Sequence, residues 1–461
     1  MKEYDIIVIG AGAGTKLVTP PSLLGKRVAV FEKESPGGTC LNRGCIPSKM
    51  IIYPSELIRI TEDTDKFPVH FKERPIADVD KIFRRVNETV KQDSDSIPIA
   101  YDKNPNIDFY PKQVRFVDNR VLSDGNETYT AKHIFVVTGT RPSIPEIPGL
   151  KTIPFWTSRE ALSPDQFPKS LLIIGAGFIS LELGAAYQAY GCKVTGLTRT
   201  EILRTADGDI KKELSNHLPF SIESHYQIDK VEYTNGEFKV IGKTKEGKET
   251  IHTAERLLVA TGIRPNTDDL GLEKTNIKTN DVGYILVNDH LETTEPGIYA
   301  FGDVIGRYFF RHSANFEGEY LYDHLYVSKT NAPIKYPPMP EAVFTHPQIA
   351  SIGFTEEDLI RKNIPYYKGI NPYSSSATGM ARMSNSGFVK VLVSVETEEV
   401  LGAHIIGEEA ANLLHQIVLG MYLKAKLDDY LGMIYIHPAI SEITRNAFRK
   451  VREEKLKRIK K

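Results

Sequence analysis

A chain of 461 residues, 41% hydrophobic and 25% charged, carries apolar material for two to four soluble domains rather than one. Its formal net charge of −1 offers no basic field for nucleic acid, and three cysteines fall far short of a secreted disulfide framework. The expected address is cytoplasmic: MKEYDIIVIG enters a strand pattern with no signal-peptide character, and the apolar stretch 171–190 is interrupted by Glu182, against a membrane span.

In chain order, the first element is a β-branched strand over 4–10 that runs into Gly10-Ala11-Gly12-Ala13-Gly14-Thr15. A second strand over 27–31 ends at Glu32, and a charged, helical pattern follows over 76–96. The strand at 134–138 stops at Gly139, and the Pro-rich stretch 141–149 reads as a linker. The design then repeats, with a strand over 170–175, the turn Gly175-Ala176-Gly177-Phe178-Ile179-Ser180, a helix and a strand over 193–197. Residues 256–262 (RLLVATG) echo 134–139 (IFVVTG) and close the second unit. After a Pro-rich stretch at 332–340, strands at 388–395 and 399–406 and a helix at 410–426 mark a last portion. The basic run 450–461 reads as a solvated helix end rather than a nucleic-acid or membrane arm.

Strand, glycine turn, helix, strand is the unit of a doubly wound sheet, so the expectation is an α/β protein with two Rossmann-like dinucleotide-binding domains and a C-terminal α+β domain. The proposed divisions are 1–150, 151–285, a return segment 286–335 and a terminal domain 336–461.

A glycine turn ending a strand lets backbone approach a pyrophosphate, and the helix that follows offers free N–H groups and its positive dipole end. Glu32 strengthens the first site, standing 22 residues after Gly10, where an acid bonds ribose hydroxyls. Thr15 occupies the third glycine position and is expected to push the next helix off the sheet, which Pro20 and Pro21 must shorten; Ser180 replaces the corresponding glycine in the second unit. At the end of that unit the acid of an NAD site is replaced by Thr198, followed by Arg199 and Arg204. Losing a carboxylate and gaining guanidinium groups suits a 2′-phosphate, which favours NADPH over NADH; the plainer reading is two surface arginines.

Gly37-Gly38-Thr39-Cys40-Leu41-Asn42-Arg43-Gly44-Cys45-Ile46-Pro47-Ser48-Lys49 is the most specific stretch. On a regular helix Cys40 and Cys45 would stand roughly 7.5 Å apart along the axis, beyond the Cα separation of about 7 Å that a disulfide tolerates. A bridge therefore requires the backbone at Cys40 to leave helical geometry, which Gly37, Gly38 and Gly44 permit. No further clustered Cys or His completes a zinc site; two free structural thiols remain the other reading. Cys192, in GCKV, reads as a buried small hydrophobe.

This motif, with two dinucleotide units around it, resembles the flavoprotein disulfide reductases, the family of glutathione, mycothione and mercuric reductases and dihydrolipoamide dehydrogenase. The resemblance runs through the whole chain. It implies FAD and a nicotinamide nucleotide as cofactors. Cys40 would be the thiol that attacks the substrate disulfide, Cys45 the flavin-facing thiol, and Lys49 and Glu182 a buried pair beside the flavin. Phe178 would cover the ring where the family often has Tyr. The FAD set would be Gly10, Gly12, Gly14, Glu32, Thr39, Gly139, Asp303 of 293–303 (TTEPGIYAFGD) and Ala314, with Glu317-Gly318 on the same helix. The NADPH set would be Gly175, Gly177, Ile179, Arg199, Arg204 and Gly262. His437 and Glu442 resemble the family's His-Pro-x-x-x-x-Glu pair, in which the histidine handles protons at the other subunit's disulfide; the implication is an obligate homodimer with a shared site.

Within the family, the C-terminus RKVREEKLKRIKK lacks the cysteine pair of mercuric reductases. The reading preferred here is an NADPH-dependent reductase of a small disulfide. Dihydrolipoamide dehydrogenase, using NAD and, in that case, with a 2-oxo acid dehydrogenase complex as partner, is the alternative. A non-catalytic flavoprotein subunit is a third reading, opposed by intact Cys40, Cys45 and His437. No metal is expected.

Overall fold

The strand Lys2–Ile9 ends in four consecutive buried residues, the pattern of a parallel strand covered on both faces. It pairs in parallel with Val28–Phe31 on one side and Thr128–Val136 on the other. Ile107–Tyr110 extends the sheet beyond Val28–Phe31, and Ile298–Ala300 adds in parallel to Thr128–Val136. The period-2 geometry of a strand sorts these side chains into two cores. Ile6, Val8, Val28, Val30 and Phe135 pack on one face, and Ile7, Ile9, Ala29, Phe31, Ile134 and Val136 on the other. The computed structural model describes residues 1–62, 64–73 and 75–460.

The second unit is a parallel sheet in the order Ser221–Ser224, Lys193–Thr198, Ser170–Ile174, Arg256–Val259. An antiparallel meander of Gln227–Thr234, Glu237–Lys243 and Glu249–Ala254 interrupts it before its last strand. The stretch expected as a plain linker is partly structured: Thr140–Pro142 pairs antiparallel with Ile263–Pro265, so the chain's exit to the second unit and its return are joined. The return also comes before residue 286, because Leu270, Leu272, Ile277 and Ile285 belong to the core of the first sheet.

The last portion is a five-stranded antiparallel sheet, Pro340–Val343, Ile349–Gly353, Val400–Ile406, Phe388–Ser394, Tyr366–Pro372 in spatial order. Helices Ala410–Tyr422 and Glu442–Ile459 bury Leu413, Leu414, Ile417, Ala447, Phe448 and Val451 against Val389, Val391, Ala403 and Ile405. The first of these helices stops short of the expected residue 426. Lys424 turns left-handed (φ 56°) and Ala425 N–H bonds the Gly420 carbonyl at 2.8 Å, a terminating turn that closes the helix. No described helix is long and apolar enough to cross a membrane.

Candidate active site

The glycine turn after the first strand is held by close backbone approach. A Cβ on Gly38, whose φ is 64°, would lie 2.7 Å from Gly12 Cα, so these two glycines let the turn and the cysteine helix touch. Glu32 accepts the N–H groups of Ala11 (2.8 Å) and Glu34 (2.9 Å); burial raises its pKa, with backbone hydrogen bonds opposing. Gly10, Gly12, Glu32, Thr39, Gly139, Asp303 and Ala314 all line one cleft with Cys40 and Cys45. Gly14 does not: it is buried under the turn, where a Cβ would meet Val8 Cγ1 at 2.6 Å, so the close packing there requires a glycine. Thr15 does not tilt a long helix, because there is none. Residues Ala13–Leu17 form a 3-10 turn and Thr19–Leu23 a short helix opened by Pro20 and Pro21, while Thr15 Oγ1 bonds the Gly12 carbonyl at 3.1 Å.

Cys40 lies inside helix Gly38–Arg43 and Cys45 opens helix Cys45–Glu62. The break expected at Cys40 falls instead at Gly44, between the two cysteines, where a side chain would crowd the Thr39 carbonyl oxygen at 2.9 Å. Both cysteines are free thiols. The hydrogen bond from the Cys45 thiol lowers Cys40 to about 7, against burial and with help from the charges of Arg311 and Lys49; the same bond, with burial, pushes Cys45 up. One sulfur of the pair is thus prepared to carry negative charge near neutrality.

Behind the cysteines, Lys49 Nζ meets Glu182 Oε2 at 2.7 Å and stands 4.3 Å from the centre of the Phe344 ring. Glu182 Oε1 accepts the Phe344 N–H at 2.9 Å. The pair is only half buried: the Glu182 side chain is 11% exposed and that of Lys49 38%. Phe178 stacks on Phe310 with centroids 6.2 Å apart. Phe310 lines the cysteine cleft and Phe178 a second cleft, so this aromatic contact stands between the two. Asp303, raised by burial, accepts the Thr140 hydroxyl at 2.9 Å, and buried Glu317 holds the neighbouring turn through the Gly302 N–H at 2.6 Å.

The second cleft brings together Gly175, Gly177, Thr198, Arg199, Arg204 and Gly262. Leu203, at φ 42°, donates its N–H to the Ala176 carbonyl at 3.1 Å and so folds the arginine loop onto the glycine turn. Neither arginine has a carboxylate partner among the described residues. Ile179 is 40% exposed and does not line this cleft, contrary to its expected place in the nucleotide set. Gln227, from the meander, does line it; nothing in the sequence pattern brings that strand to this cleft.

His437 Nδ1 lies 2.9 Å from Glu442 Oε2, and Arg445 bonds the other carboxylate oxygen at 2.5 Å. Burial works against the Glu442 charge, but hydrogen bonds from His437, Ala439 and Arg445 outweigh it and keep its pKa low. Arg445 was not legible as part of this group. The His437 side chain is 70% exposed and does not line the cysteine cleft of its own chain. Ile434 and Ile436 beside it are 96% and 78% exposed, an apolar surface of the kind that partners cover.

The cleft suits a dinucleotide flavin on its own geometry: Gly10 and Gly12 line it at the end of the first strand, where backbone without side chains can meet a pyrophosphate, and Asp303 offers a half-buried acceptor to a hydroxylated chain. Comparison with known proteins agrees. Residues 4–318 match the family described as pyridine nucleotide-disulphide oxidoreductase, and residues 339–448 match its dimerisation domain. The chain is 32% identical to dihydrolipoyl dehydrogenase 1, mitochondrial, of Arabidopsis thaliana over 96% of its length and 90% of the relative's. It is 30% identical to mycothione reductase of Mycobacterium tuberculosis over 97% and 99% of the two lengths. The HOCl-induced flavoprotein disulfide reductase RclA of Escherichia coli superposes with a TM-score of 0.86 at 25% identity, covering 97% of this chain and 99% of that one. FAD and NAD(P)H are the cofactors this likeness implies. The chain therefore belongs to the pyridine nucleotide-disulphide oxidoreductase family, as an oxidoreductase carrying that family's dimerisation domain.

Proposed function

We propose that this oxidoreductase uses NADPH to reduce a low-molecular-weight disulfide, through Cys40 and Cys45 of one subunit and the partner subunit's His437. The first nucleotide unit and the return segment would hold FAD, through Gly12, Glu32, Thr39 and Asp303; the second unit would hold NADPH. Bound FAD would supply the link between hydride from the nicotinamide and an electron pair for the Cys40–Cys45 disulfide. Two electrons and a proton open that bridge to one thiol and one thiolate. The Cys40 thiolate then attacks the substrate RS–SR, forming a Cys40–SR mixed disulfide and releasing RS⁻. The partner subunit's His437 gives that thiolate a proton, with Glu442 orienting the ring. Cys45 finally gives its proton to the partner subunit's His437, now neutral, and attacks the Cys40 sulfur as a thiolate; this expels the second RS⁻, which takes a proton from solvent, and recloses the bridge.

The observation that carries the nucleotide choice is the second cleft: Thr198 stands where an acid would repel a 2′-phosphate, and Arg199 and Arg204 lie beside it with no carboxylate partner among the described residues. The test is steady-state turnover with NADPH against NADH, each with lipoamide and with small thiol disulfides. NADPH preference with a small disulfide supports the proposal. A strong NADH preference with lipoamide moves the reading to dihydrolipoamide dehydrogenase, which the identity to the Arabidopsis thaliana enzyme favours.

A further inference from the structure

The cations around the cysteine cleft are mostly neutralised. Arg43 pairs with Glu34, Arg141 with Asp268, Lys112 with Asp124 and Lys49 with Glu182. Arg311 lines the same cleft and has no carboxylate partner among the described residues. Its guanidinium is tethered instead to a neutral group, Nε donating to Asn315 Oδ1 at 3.1 Å one turn on. Arg311 also begins the twelve-residue helix Arg311–Tyr322, whose first turn has no side-chain cap and no acidic residue. Ala314 of that turn lines the cleft too, so the positive end of the helix dipole and a guanidinium without a carboxylate partner border the cleft that the thiols line.

We propose that Arg311 is a positioning residue for the redox pair, holding negative charge on the Cys40 sulfur so that this sulfur, and not Cys45, is the attacking thiolate. The proposal rests on the disulfide-exchange reading given above. The groups facing Cys40 are Cys45 and Lys49 from the following helix and Arg311 from across the cleft, with the Arg43–Glu34 pair on its own helix side and Asp303 in the same cleft. After the hydrogen bond from Cys45, Arg311 is the strongest of the charges that favour the Cys40 thiolate, ahead of Lys49. Lys49 is already committed to Glu182, whereas the Arg311 guanidinium has no carboxylate partner among the described residues and lines the cleft with Cys40.

The experiment is alkylation of the reduced holoenzyme by iodoacetamide, in which the Cys40 thiolate displaces iodide to form a thioether. Modified Cys40 is counted by mass spectrometry across pH. The wild-type rate should rise through a midpoint of about 7. Arg311→Gln, and Arg311→Met as a second neutral side chain, should move the midpoint up by about one unit, about tenfold slower alkylation at neutral pH. Arg311→Lys should restore most of the rate. Superimposable profiles for wild type and the two neutral variants would overturn the proposal. Loss of the exchange reading would look different: turnover indifferent to Cys40→Ser, whatever the alkylation profile.

Discussion

Lys390 and Asp207, 183 residues apart in the chain, meet at 2.9 Å with both side chains closed to solvent. Lys390 belongs to the terminal sheet, while Asp207 caps helix Gly208–His217 of the second nucleotide unit. The ammonium also bonds Asp209 at 2.6 Å and Glu356 at 2.7 Å. Burial works against its charge, yet these three carboxylates outweigh burial and push its pKa up. Asp207 accepts the Glu356 N–H with its other oxygen at 3.1 Å. The loop bearing Arg199 and Arg204 is therefore fastened at Leu203 to the glycine turn and at Asp207 to the terminal domain.

Removing the cation should be costly because it strands buried carboxylates. Lys390→Met is expected to lose about 3–5 kcal/mol of stability, the range for breaking a buried ion pair from one side. Chemical denaturation measures it. Adding Asp207→Asn to that variant should cost less than the two single losses summed, since it removes one of the carboxylates that the first substitution strands. Additive losses would mean that the two residues act independently.

This cluster shows what the sequence could not reveal. Gly10, Gly12, Glu32, Cys40, Cys45 and Lys49 fall within one stretch, and local rules of turns, strands and spacing apply to them directly. His437 and Glu442 are five positions apart and carry their relation in that spacing. Lys390, Asp207 and Glu356 come from separate elements, and nothing local marks a lysine in a strand as buried. Arg311 and Gln227 escaped for the same reason, since each reaches its cleft only through tertiary packing. Ile179 and Gly14 are placed by motif position alone, and neither is among the residues that line its cleft. The helix break at Gly44 was misplaced by four residues because spacing alone says that a break is needed, not where the backbone has room for it.

His133 gives a pH dependence whose sign can be worked out. Burial first, then the charges of Lys132, Arg120 and Lys26, lower its pKa from 6.5 to about 4, and its Nδ1 lies 2.7 Å from the Tyr326 hydroxyl. The folded protein resists a proton that the unfolded chain accepts. The stability gained from neutral His133 is whole above pH 6.5 and is lost as pH falls from there toward 4. Discounted for its partial exposure, the loss is about 2 kcal/mol. His133→Gln should flatten the wild-type stability curve across that window when the two are unfolded at successive pH values. Parallel curves would remove His133 as the source.

The shared site can be tested by pairing two dead subunits. His437 points to solvent on its own chain and is absent from the lining of that chain's cysteine cleft. In a two-fold dimer each cleft would take its proton donor from across the interface. Cys40→Ser and His437→Gln homodimers should both be nearly inactive. Their hybrid combines one cleft that has lost both groups with one that has lost neither, so it should recover about half the wild-type turnover. If cysteine and histidine served the same subunit's site, every cleft in the hybrid would lack one of them and no activity would return. Co-expressing the two variants with different affinity tags, isolating the doubly tagged dimer and assaying it separates the two arrangements, because only a donor that crosses the interface can rebuild a complete centre from two broken ones.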